Sequence, residues 1–148
     1  MRDLVTAANQ NLLHGFELLA EDMDGGALAS FGTIAAASSG LPIPNFNRIA
    51  VFEQPDPDDL AAAIAWMADR DVPFQVTVAT PALETVRARA VALDIEETVA
   101  QPVMAMSSLD DIPARDPPVP IETVEDEADL RTFVDVSAAI FGFPVDVA

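Results

Sequence analysis

The sequence predicts a mixed α/β domain of the α+β kind, followed by a shorter second segment. Three observations lead to this prediction. Of the 148 residues, 51% are hydrophobic, which is enough to bury one core. Apolar residues recur at helical spacing in several segments and alternate with a period of two in others. Clusters of glycine and proline separate these segments, as turns do.

The first half of the chain predicts one helix and two strands. An amphipathic helix is expected over 2–22, where Leu4, Ala8, Leu12, Phe16 and Leu19 share one face. Gly25 and Gly26 end it, and the alanine-rich run 28–37 predicts a single buried strand, closed by a turn that contains prolines. A second strand is expected over 47–53, where apolar and polar positions alternate.

The next segments predict two more helices and two more strands. Acidic residues at 58 and 59 indicate a helix N-terminus, and this helix should run to about residue 70. A strand is expected over 74–78, and Thr80 and Pro81 provide an N-cap and a first-turn proline for a third helix. The run 101–107 predicts the last strand of the unit.

The residues after 109 predict a boundary and the start of a second unit. Four prolines among acids over 110–120 are typical of a stiff linker, which divides the chain into 1–109, 110–120 and 121–148. A strand over 121–124 and a helix over 126–141 should follow, ended by Gly142 and Pro144. One strand and one helix cannot enclose a core. They therefore pack back on the first domain or open a domain whose remainder is absent.

The charge balance is strongly acidic. The chain has 25 Asp and Glu against 7 Arg and no Lys, giving a net charge of −18 and a pI near 4.1. Nucleic acid and anionic membranes would be repelled. An acidic patch for a basic partner would cluster the charge, whereas these acids occur in almost every segment. We therefore expect a halophilic protein, whose carboxylates stay hydrated in concentrated salt.

The composition also bears on compartment. The chain has no Cys, which excludes thiol catalysis, disulfides and cysteine-ligated zinc. The polar residues at positions 9–11 do not fit a secretory signal. The most apolar stretch, 27–37, is too short to span a bilayer. A cytoplasmic location is expected.

Two segments carry a family resemblance. Residues 40–49, GLPIPNFNRI, together with the order of elements, resemble the N-terminal half of tandem proteins of the GNAT superfamily of N-acetyltransferases. Residues 119–133, VPIETVEDEADLRTF, with FGFP at 141–144, resemble the first strand and helix of the second domain in such proteins. The resemblance implies a mixed, mostly antiparallel sheet flanked by helices. It also implies that the C-terminal half, absent here, binds acetyl-CoA.

The turn that should hold the cofactor departs from the family pattern. Members of the family bind acetyl-CoA through an Arg/Gln-x-x-Gly-x-Gly/Ala turn between a central strand and the next helix, whose N–H groups cradle the diphosphate. This chain has EQPDPDD at 53–59. The two prolines remove donors, the missing glycines prevent close approach, and the acids repel phosphate. The chain also lacks the tyrosine used as a late general acid.

The resemblance therefore implies an architectural first domain with no catalytic and no cofactor-binding residue in this chain. Acetyl-CoA, a small-molecule amine and the missing C-terminal domain would be partners of the complete protein only. A stand-alone acidic binding or regulatory domain without enzymatic activity is the alternative, and a truncated gene product without activity is the third hypothesis. The oligomeric state is left open.

Three polar residues at a strand entrance, Asn45, Asn47 and Arg48, are candidates for lining a groove. The alternative is that they hydrogen-bond the proline turn and pair with local acids. His14 lies at helical spacing from two glutamates, but without a second His or a Cys an exposed polar stripe is favoured over a metal site. For Asp56, Asp58 and Asp59, helix capping is favoured over a calcium loop.

Overall fold

The computed structural model describes residues 4–98, 100, 120 and 122–142, with only the backbone of Phe141. The chain divides into two compact units, Met1–Met106 and Ser107–Ala148. The predicted strand 101–107 lies outside the described residues, as does the predicted linker apart from Pro120.

The described residues of the first unit form a four-stranded sheet with helices. Its helices are α1 (Leu4–Asp22), α2 (Pro57–Ala68) and α3 (Leu83–Ala90), and its strands are β1 (Ala27–Phe31), β2 (Ile34–Ser38), β3 (Asn47–Val51) and β4 (Gln75–Val78). The strand order is β1-β2-β3-β4. The first two pairings are antiparallel and the third, between β3 and β4, is parallel. The expected fold class, α+β with a mixed and mostly antiparallel sheet flanked by helices, is confirmed.

One predicted strand is in fact a hairpin. The run 28–37 forms β1 and β2, and Phe31 pairs with Ile34 across the two-residue turn Gly32–Thr33. Gly32 has a φ of +55°, a conformation that costs glycine nothing and that two-residue hairpin turns require. The prediction of one continuous strand was wrong because it treated Gly32 as part of the small-residue run.

The core lies between α2 and one face of the sheet. Leu60, Ala63 and Met67 of α2 are all buried, as are Ile49 and Val51 of β3. These residues belong to one apolar cluster that also includes residues of β2 and α3. Because side chains alternate across a strand, Arg48 points to the opposite face of the sheet. That face is the one on α1, since the Arg48 guanidinium lies 5.4 Å from the centre of the Phe16 ring.

The starts of α2 and α3 show how well local signals predict helix boundaries. Asp56 is the N-cap of α2, and its side chain accepts a hydrogen bond from the Asp58 N–H at 2.8 Å. The expected capping by this acidic segment is confirmed. Thr80 is not an N-cap, because it lies inside a short 3-10 turn, Thr80–Ala82, whose cap residue is the extended Ala79. This turn leads directly into α3.

The second unit contains α4 (Glu127–Phe141). Asp126 is its N-cap and accepts a hydrogen bond from the Asp129 N–H at 2.9 Å. Gly142, with a φ of +69°, ends the helix as predicted. The strand predicted over 121–124 is not formed at 122–124, which have no regular secondary structure. A strand needs a partner for its backbone, and no described residue of this unit pairs with that segment.

The segment after α3 is attached by a charged contact. Arg87 donates to both carboxylate oxygens of Glu97, at 3.0 and 2.8 Å, and to Glu84 at 3.0 Å. The hydrogen bonds and positive charge of Arg87 hold the pKa of Glu97 below its ordinary value of 4.5, and the carboxylates in turn raise the pKa of Arg87. These side chains are at the surface, so solvent and salt weaken the contact.

We therefore expect Glu97→Gln to remove a small contribution to the free energy of unfolding that depends on pH. Because the pKa of Glu97 is lower in the folded state, this contribution is present above the ordinary pKa and disappears as the pH falls through the lowered value. The measurement is urea unfolding of both proteins at several pH values, in low and in high salt. Glu96→Gln, at a neighbouring exposed carboxylate, is the control. A difference that grows on acidification would contradict this account.

Candidate functional site

The turn between β3 and α2 has few backbone N–H groups free to bind a ligand. Pro55 and Pro57 have no N–H to offer. The Asp58 N–H already donates to the Asp56 carboxylate, and the Leu60 N–H donates to the Asp56 carbonyl at 3.1 Å. Few backbone donors at this helix start are therefore free for an anion, although helix N-termini otherwise favour anions.

The negative charges at the same turn also disfavour an anionic ligand. Asp56 and Asp58 are exposed, and Asp59 is half-buried beside Gly32. Their negative charges compensate the positive end of the α2 dipole. A diphosphate would have to replace the internal cap and approach several carboxylates, at a Coulomb cost that water reduces but does not remove. The turn therefore disfavours phosphate-bearing ligands.

A second feature is a groove of about 590 Å³ along β4, the last strand of the described sheet. The residues that line it include the polar Asn45, Arg48, Gln75 and Thr77 and the apolar Leu12. All the lining residues belong to the first unit. We call this feature the β4 groove.

Arg48 connects the proline turn to β4 across the β4 groove. Its Nε donates to the Asn45 carbonyl at 3.2 Å and one Nη donates to the Asn45 side-chain oxygen at 3.2 Å. The other Nη donates to the Thr77 hydroxyl at 3.1 Å. Asn45 and Arg48, two of the three predicted groove residues, are thus brought together at the groove.

The positive charge of Arg48 has no acidic partner within the described part of the chain. The ion pairs found there involve His14, Arg87 and Arg131, and none involves Arg48. Partial burial lowers the pKa of Arg48, and no carboxylate offsets this effect. Among the described residues the expectation that it pairs with local acids is not met, because its acceptors there are two amide oxygens and a hydroxyl.

Asn47 does not line the groove; its buried side chain hydrogen-bonds the backbone of the proline turn. It is fully buried, and its Oδ1 accepts from the Ser38 hydroxyl and the Ser39 N–H at 3.1 and 3.0 Å. Its Nδ2 lies 2.8, 3.1 and 2.9 Å from the carbonyl oxygens of residues 41, 43 and 73. The side chain therefore joins the β2–β3 connection to the start of β4. This geometry matches the alternative that it hydrogen-bonds the turn.

Gln75 and Thr77 are groove residues that were not predicted from the sequence. They are the polar positions of the alternating run 74–78, so the period-two pattern places both on one face of β4. That pattern could have identified them. What it could not supply is the parallel register, in which Arg48 pairs with Gln75.

The described residues do not form a metal site. His14 is exposed and lies 3.8 Å from Glu17, one turn away on α1. Among the described residues there is no group of three His, Cys, Asp or Glu side chains that could hold a metal ion. No helix in the described ranges is long and apolar enough to cross a membrane.

Comparison with known proteins assigns no relative. No family model, no curated protein and no solved structure matches this chain.

Proposed function

We propose that this chain is the architectural, non-catalytic first domain of a tandem GNAT-type N-acetyltransferase, together with the start of the second domain. The complete protein would transfer an acetyl group from acetyl-CoA to a small-molecule amine. The arrangement of β1 to β4 supports this proposal. Three antiparallel strands are followed by a helix and a parallel strand, and the turn before α2 follows a central strand and precedes a helix, as the cofactor turn does in the pattern that the resemblance implies.

The observation that carries the non-catalytic role is the internal cap of α2. Asp56 uses the Asp58 N–H, two prolines remove further donors, and carboxylates surround the position where a diphosphate would bind. Acetyl-CoA binding and catalysis are therefore assigned to the rest of the complete protein. This domain would support that part by packing.

The proposal includes the cytoplasmic location and the adaptation to salt that the sequence predicts. The placement of the acidic side chains supports the latter. No Asp or Glu in the described ranges is buried, so these carboxylates are free to remain hydrated.

We expect isothermal titration calorimetry of this chain with coenzyme A to show no saturable heat, in low or in high salt. The reason is that the turn before α2 has few free donors and several negative charges. A triple variant, Asp56→Ser, Asp58→Ser and Asp59→Ser, separates the two causes. It keeps a capping residue and the prolines but loses the three negative charges. Because the missing backbone donors remain, this variant is also expected not to bind coenzyme A. Saturable binding of one coenzyme A by the wild-type chain would overturn the proposal.

The tandem part of the proposal has its own test. An antibody raised against this chain should detect in the source cells a protein well above 15.7 kDa, the mass of the chain. A band at that mass would instead favour the second candidate function, a stand-alone acidic binding domain. The β4 groove, with its unpaired Arg48, is the observation that favours this second candidate.

A further inference from the structure

We infer that the free edge of β1 pairs with the same edge of a second copy of this chain, which joins two sheets in a symmetric dimer that salt strengthens. The β1 edge is the side of Ala27–Phe31 that faces away from β2. This inference goes beyond the proposed architectural role and does not rest on it. It rests on the pairing of β1, the side chains along it and the charges around it.

β1 is the first strand of the described sheet and has a partner on one side only. It pairs with β2, and no described residue pairs with its other side. The backbone N–H and C=O groups along such an edge form a template for another strand. The register with β2 is continuous from Ala27 to Phe31, so no bulge turns the edge away from a partner. The β1 edge therefore presents a regular row of backbone donors and acceptors.

The side chains of β1 do not protect this edge. The strand, ALASF, has no charged residue and no proline, two of the devices that block pairing at sheet edges. Phe31 packs on Trp66 of α2, so the alternation of side chains places Leu28 and Ser30 on the opposite face. Both are exposed, Leu28 by 43%. A second strand beside β1 would cover them.

The β1 edge suits a second copy because it is complementary to itself. Two identical strands that pair antiparallel about a twofold axis make the same contacts in both directions, as in the commonest class of oligomer. In the register centred on Ala29, the small Ala27 lies opposite the larger Phe31 of the partner subunit. Leu28 lies opposite Ser30 of the partner subunit on the other face. No charge is placed within the paired strands.

The other end of the described sheet is less suited to a second copy. Asp94 and Glu96 line the groove along β4, so two β4 edges would bring these acids together. Pairing β1 of one copy with β4 of the next would leave one edge free at each end and build an open chain instead of a closed dimer. A dimer through β1 is therefore the arrangement that the strand order and the charges favour.

The charges around β1 make this pairing depend on salt. Asp24 precedes β1, and Asp59 lies beside Gly32, just after it. Antiparallel pairing brings Asp24 towards Asp59 of the partner subunit, and Arg70, which stacks on Trp66, offsets only part of this negative charge. Each copy also carries a net charge of −18. The repulsion is screened as the Debye length falls from about 10 Å in about 0.1 M salt to about 3 Å in about 1 M salt.

The test is sedimentation equilibrium of the full chain over a range of protein concentrations, in about 0.1 M and about 1 M sodium chloride. We expect a reversible equilibrium between the monomer of 15.7 kDa and a dimer. One strand edge is a small interface beside the roughly 1,200–2,000 Å² of stable complexes, which is why the association should be reversible. It should be at least about tenfold tighter in the higher salt.

Leu28→Glu should weaken the dimer at least about tenfold, because it places like charges on one face of the paired edges. The side chain is exposed in the single chain, so folding does not depend on it. Leu4→Glu is the matched control. Leu4 is 44% exposed and lies at the end of α1 that is remote in sequence from β1, so the same change of charge there should leave the dimer unchanged. Circular dichroism checks that both variants are folded.

Hydrogen exchange of the wild-type chain locates the contact without any variant. In about 1 M salt, amides of β1 should exchange more slowly as the protein concentration rises. Amides of β2 should change less, because β2 already lies between two strands.

The inference is overturned if the chain stays monomeric in both salt concentrations, if salt weakens the association, or if Leu28→Glu associates as the wild type does. It is also overturned if the β1 amides are equally protected at every protein concentration, since another segment of the same chain would then cover the edge. These outcomes are independent of the proposed function, which fails when coenzyme A binds at the turn before α2.

Discussion

Asn47→Asp is expected to lower the free energy of unfolding by more than about 3 kcal/mol. The Asn47 side chain is fully buried, and its Nδ2 faces three backbone carbonyl oxygens. An aspartate would place a second oxygen against these carbonyls. It would then have to bury a negative charge or take up a proton, and several acceptors would lose their donor. Urea unfolding at neutral pH measures the loss.

The control for this prediction lies two residues away. Asn45→Asp makes the same chemical change at an exposed position, where the side-chain oxygen already accepts from Arg48. It is expected to change the free energy of unfolding by no more than about 0.5 kcal/mol, as surface substitutions usually do. Equal losses for the two variants would show that added negative charge, and not the buried hydrogen bonds of Asn47, is responsible.

Most helices of this fold could be predicted because their signals are local. The apolar stripe of α1, the acidic N-terminus of α2 and the glycine after α4 each lie within a few residues of the boundary they determine. The hairpin was missed because its two-residue turn has one strong turn residue, Gly32, which lies in a run rich in small residues where periodicity carries little information.

The candidate site could likewise be predicted from the sequence only where its residues are close together in the chain. The turn before α2 could be evaluated from the sequence, since its prolines and acids are contiguous. The β4 groove could be predicted only in part. Arg48 meets Thr77, 29 residues later, because β3 and β4 are parallel neighbours, and no local pattern specifies that pairing. Asn47 is similar, because its partner at Pro73 is 26 residues away.

Gly26→Ala is the other substitution expected to have a large effect, lowering the free energy of unfolding by at least about 2 kcal/mol. A Cβ at this position would lie 1.6 Å from the carbonyl oxygen of Ala20, in the last turns of α1. The Gly26 N–H also donates to the Met23 carbonyl at 2.9 Å. Relief of the clash would have to move the backbone of α1 away from the start of β1. Thermal and urea unfolding measure the effect.

Two other glycines give matched controls for Gly26→Ala. Gly15 lies within α1 with no atom close to where its Cβ would be, so Gly15→Ala should stabilise the protein by up to about 1 kcal/mol through helix propensity. At Gly25 the added Cβ would make ordinary contacts, at 3.4 Å or more, so Gly25→Ala should be tolerated. If Gly26→Ala is tolerated as well, the close approach of α1 to the start of β1 is not required. The packing of α1 on the Arg48 face would then have to be explained by Phe16 and the other side chains of that helix.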